Sequence, residues 1–121
     1  MFVGTQAYCF TSGRGLAGTD KLLEILAGVV ACRDKPFEFL TPVVLSRAAQ
    51  LSSCICILLR WDQERKKLVE NLRGLDVPTL VLVIAENEDA GRAMDPGPLM
   101  DEPQNFQLLS LENVQQGLMN L

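Results

Sequence analysis

The stretch CICILLRWDQERKKLVENLRGLDVPTLVLVIA, residues 54–85, decides the fold. It opens on the apolar run Cys54–Leu59 and closes on a second one, Thr79–Ala85, entered through Pro78. Short uninterrupted apolar runs of this kind are the mark of strands buried on both faces. Between them Leu68, Leu72 and Leu75 recur at helical spacing, and Val69 widens the stripe. Gln63–Leu75 therefore reads as an amphipathic helix, with Asp62 as its N-cap and Gly74 near its exit. Strand, helix and strand in so short a span form a βαβ unit, which makes the two strands parallel.

Working outward, Phe2–Phe10 (FVGTQAYCF) favours extended structure and is expected as a strand. A glycine-rich turn follows at Thr11–Gly18, then a helix for which Ser12 or Thr19 is the expected cap and Asp20 suits the positive end of the dipole. Leu22, Leu23, Ile25, Leu26, Val29 and Val30 cover most of that helix, so it is expected to be nearly enveloped. Cys32–Pro42 reads as a connector broken by Pro36 and Pro42, and Val43–Leu51 as a short helix. Beyond the second apolar run, residues 86–104 are rich in proline, glycine and acidic side chains and read as a long exposed loop. Asn105–Ser110 is a weaker last strand, and Leu111–Leu121 a closing helix. The expectation is one α/β domain over residues 1–121: a three-layer, Rossmann-like open sheet, mostly parallel and covered by helices.

Composition removes several functions. The chain of 121 residues carries 11 basic and 15 acidic residues, a formal charge of −4. Its one basic triplet, Arg65, Lys66 and Lys67, is flanked by Asp62 and Glu64 and reads as a solvated helix face, so nucleic acid is not an expected partner. No apolar stretch reaches the length of a membrane span, and the four cysteines (Cys9, Cys32, Cys54, Cys56) form no Cys-x-x-Cys pair. A reducing, cytoplasmic setting fits them best, any membrane anchor being left to the full-length protein. Cys54 and Cys56, two apart on a strand, point to one face and read as small buried hydrophobes. With no histidine, no nucleophile elbow and no Walker lysine motif, the chain is not expected to be an enzyme.

Two constellations remain. Gly13, Gly15 and Gly18 spell G-x-G-x-x-G between a strand and a helix, the context in which backbone amides cradle a pyrophosphate. The acidic residue expected about twenty positions on falls in Asp34–Leu40, which Pro36 interrupts, so a structural turn accounts for the glycines as well. The second constellation is the carboxyl edge of the sheet, where ligands of open α/β sheets bind. Thr19, Asp20, Asp62 and Glu86 follow the expected strands, and either cap helices or converge as oxygen ligands for Mg²⁺.

The segments GRGLAGTDKLLEILAGV, PFEFL and CICILLRWDQERKKLVENLRGLDVPTLVLVI resemble the carboxyl-terminal part of a bacterial von Willebrand factor A-like family, labelled domain of unknown function fifty-eight. The resemblance rests on the Gly-Arg-Gly-Leu turn and on the apolar strand followed by Trp61, Asp62 and Arg65. It implies a truncated von Willebrand A-like domain whose metal-ion-dependent adhesion site would include Thr19 and Asp62. The Asp-x-Ser-x-Ser of that site is absent from this chain, so no cofactor is expected here and Mg²⁺ only in a complete domain. It also implies a non-enzymatic protein-interaction module that assists assembly of other complexes with a MoxR-type AAA+ ATPase. The alternative is a nucleotide- or phosphate-binding domain using Gly13–Gly18, with carboxylate chemistry at the strand tips. A missing central strand would leave Phe2–Phe10 and Cys54–Leu59 with open edges, so a homodimer through one of them is expected, in balance with direct closure of the sheet.

Overall fold

A computed structural model of the chain describes residues 2–3, 7–8, 16–28 and 36–121. The chain divides into two compact units, residues 1–46 and 47–121.

In the first unit the amino-terminal segment departs from the expected single strand. Two short strands, β1 (Phe2–Val3) and β2 (Ala7–Tyr8), pair antiparallel with each other, Phe2 opposite Tyr8 and Val3 opposite Ala7. They make a separate two-stranded sheet and are not members of the parallel one. Gly4, Thr5 and Gln6 separate the two apolar stretches in the sequence. Helix α1 (Leu16–Ala27) starts before Thr19 and Asp20, so Thr19 lies inside the helix and is not its cap. Leu23 and Leu26 of α1 are exposed, and Leu22 and Ile25 are half-buried, so the helix is not enveloped. Ser12, Gly13, Gly15, Val29 and Val30 lie outside the described residues, and Gly18 falls within α1. Helix α2 (Leu40–Leu45) accommodates Pro42 in its first turn, where a missing N–H breaks no intrahelical bond.

The second unit contains the parallel sheet. Strands β3 (Cys54–Leu58), β4 (Thr79–Ala85) and β5 (Phe106–Ser110) lie side by side in that order, each adjacent pair parallel. The register sets Cys56 beside Val81 and Val81 beside Phe106, and sets Ile57 beside Leu82 and Leu82 beside Gln107. Since neighbours in register point to the same face, one face carries Cys54, Cys56, Val81, Val83 and Phe106, and the other Ile55, Ile57, Leu82 and Leu109. The central strand β4 is buried along most of its length, as its unbroken apolar sequence requires.

Helix α3 (Gln63–Gly74) links β3 to β4 and buries Leu68, Val69 and Leu72. Each such side chain contributes about 1.5–3 kcal/mol when removed from water. The helix ends as Asp76 takes φ 58° and Val77 N–H returns to Leu72 O at 3.1 Å, so the left-handed residue is an aspartate and not Gly74.

Residues 86–104 are not a loose loop. They form α4 (Glu88–Arg92), capped by Asn87, and 3₁₀ turns at Gly97–Leu99 and Pro103–Asn105. Leu99 is fully buried. Basic side chains of α3 hold this segment in place: Lys66 reaches Asp95 at 4.0 Å, and Arg73 meets Asp101 at 2.7 Å and Glu102 at 3.8 Å. Trp61 donates its indole N–H to Asp95 O at 2.6 Å and packs on Phe106 with ring centres 5.1 Å apart. Lys66 and Arg73 of α3 thus pair with acidic side chains of this segment that remain exposed to solvent. Helix α5 (Val114–Met119) closes the chain against β5, with Gly117 allowing close approach to Leu109.

Candidate functional site

Asp62 stands three residues after Leu59, where the sequence places it, and it caps α3. Its Oδ1 accepts the Arg65 backbone N–H at 3.1 Å and its Oδ2 accepts from the Arg65 guanidinium. Partial burial pushes the carboxyl up, yet these bonds prevail and hold it below the usual carboxylate range. Both carboxylate oxygens of Asp62 are thus engaged by Arg65, whose positive charge competes with a divalent cation for them. Among the described residues no group of three or more Cys, Asp or Glu side chains is arranged to hold a metal ion. Thr19 and Asp20 are exposed on α1 in the first unit, whereas Asp62 and Glu86 belong to the second.

The carboxyl ends of β4 and β5 open into a cleft of about 480 Å³ between α4 and α5, lined by Ala85, Glu88, Arg92, Ser110, Asn113 and Gln116 among others. Its polar groups are engaged with each other. Asn113 donates to Glu88 Oε1 at 2.8 Å, Arg92 reaches Glu88 Oε2 at 3.4 Å, and Ser110 Oγ accepts the Asn113 backbone N–H at 3.2 Å. The Ser110 hydroxyl acts here as a turn acceptor. Beyond the general rule for strand tips, nothing in the sequence marks this cleft, because α4 lies in a stretch that reads as loop.

The opposite border of the sheet differs. Among the described residues β3 pairs with β4 alone, so its other edge carries no ladder partner. The expectation that Cys54–Leu59 is buried on both faces is half wrong: Cys56 is buried, but Ile55 and Ile57 are 63% and 65% exposed, and Leu59 is exposed as well. On the same sheet face α5 packs on β5 at Leu109, and Leu82 of the central strand is buried. No charge or proline interrupts residues 54–59, although natural edges usually carry one. Among the described residues no helix is long and apolar enough to cross a membrane.

No protein-family model, curated protein or solved structure matches the chain.

Proposed function

We propose that this chain is a non-enzymatic protein-interaction module that takes a β-strand from a protein partner along the free edge of β3. One observation carries the proposal: a strand with one edge unpaired among the described residues that also exposes Ile55 and Ile57. Strand addition uses both features, the main-chain groups for affinity and alternate side chains for fit. A second copy is the simplest partner, because identical edges meet across a two-fold axis and satisfy each other at once.

The von Willebrand A-like reading belongs to the same proposal. If β3 corresponds to the strand preceding the late aspartate of that family, its free edge is where the family's central strand would pair. An AAA+ ATPase of the MoxR type is then a proposed partner with which the domain assists assembly of other complexes. The metal site is not part of the proposal, since Arg65 engages both oxygens of Asp62.

Sedimentation velocity across a range of concentrations tests the second-copy form. A dimer at high micromolar concentration is expected, together with a monomer for the Ile55→Lys/Ile57→Lys double variant at an unchanged melting temperature. A wild-type chain that stays monomeric throughout would remove the second copy as partner. A dimer insensitive to the two lysines would remove β3 as the interface.

A further inference from the structure

Cys54 and Cys56 lie on one face of β3 with their sulfurs 3.7 Å apart. Both are free thiols, Cys54 half-buried and Cys56 buried. The spacing does not suit a disulfide. That bond needs sulfurs about 2.05 Å apart and α-carbons within about 6.8 Å with converging side chains. Positions two apart on a strand span about 6.4–6.8 Å, at the far limit of that range. Closing the bond would bend β3 where Cys54 N–H is held by Pro78 O at 2.8 Å and Cys54 pairs with Thr79 of β4.

The same spacing suits a bridging ion. Two thiolates each about 2.3 Å from a tetrahedral metal stand about 3.8 Å apart, a chord set by bond length and angle alone. We infer that Cys54 and Cys56 form a two-sulfur site for a thiophilic metal ion, whose remaining positions are taken by water or by a small exogenous thiol. Soft ions of the Zn²⁺, Cd²⁺ and Cu⁺ kind are selected over Mg²⁺ or Ca²⁺, because both protein ligands are sulfur. Binding M²⁺ to two thiols releases two protons, so the site tightens as pH rises. Cys54 is the entry point, because it is the more exposed of the pair.

Cd²⁺ is the probe, added to the full chain carrying Cys9→Ser and Cys32→Ser so that only the β3 pair remains. Its sulfur-to-cadmium absorption should saturate at one ion per chain, and glutathione should tighten it. Cys54→Ser or Cys56→Ser should weaken binding about 10²-fold, because the second bond of the chelate is intramolecular. A measurement free of folding effects accompanies it: in the unsubstituted chain, Cd²⁺ should slow iodoacetamide labelling of Cys54, read peptide by peptide. Unchanged labelling of Cys54 under Cd²⁺, or a titration that Cys54→Ser leaves intact, would overturn the inference. Neither readout depends on whether the β3 edge recruits a partner.

Discussion

Arg65 holds Asp62 twice, by its backbone N–H at 3.1 Å and by its guanidinium, three residues along the same helix turn. One contact is the N-cap of α3 and the other neutralises the cap's charge. Together they convert a residue at a strand tip, where ligand chemistry is expected, into a helix-start device.

From this pairing, Asp62→Ala is expected to cost about 0.5–2 kcal/mol, and Asp62→Asn less, because asparagine still caps. Urea denaturation at neutral pH measures both. The folded-state pKa of Asp62 is lowered, so its stabilising contribution is present above about pH 4, the unfolded carboxylate value, and is lost as pH falls through the folded value. The gap between wild type and Asp62→Ala should therefore narrow below about pH 4. A constant gap through acid would mean that the carboxylate charge contributes nothing.

Leu99 offers a sharper test of the segment that reads as loop. It is fully buried under the seam between α3 and residues 95–102. Leu99→Ala should cost about 2–5 kcal/mol, the usual loss for a core leucine. A solvated loop residue would lose no more than about 0.5 kcal/mol, so thermal denaturation distinguishes the two without ambiguity.

Two glycines make a matched pair. A Cβ at Gly117 would lie 2.5 Å from Leu109 Cδ2, so the buried Leu109 side chain would have to shift. Gly117→Ala should destabilise by about 1–3 kcal/mol through overpacking. A Cβ at Gly74 meets nothing within 4 Å, so Gly74→Ala at the end of α3 should be neutral or stabilising by up to about 1 kcal/mol. Equal effects at the two positions would contradict the packing of α5 on β5.

The parallel unit is legible in the sequence because its signals are local. Thr79–Ala85 is apolar throughout and becomes the buried central strand. Leu68, Val69 and Leu72 share one helical face and become the buried face of α3. Asp62 precedes the first turn and caps it through bonds within three residues. Periodicity and capping depend on neighbours in the chain, so the amino-acid order alone determines them.

What required the tertiary structure is the pairing of distant groups. Asp95 and Asp101 read as loop charges until Lys66 and Arg73 of α3 stand beside them, closing a seam over Leu99. The apolar run Cys54–Leu59 looks fit for burial on both sides, yet an apolar residue is buried only where another element covers it, and a sequence run cannot specify its own cover. Tertiary packing covers Cys56 and leaves Ile55 and Ile57 exposed, a difference between neighbouring apolar residues that their shared run does not encode.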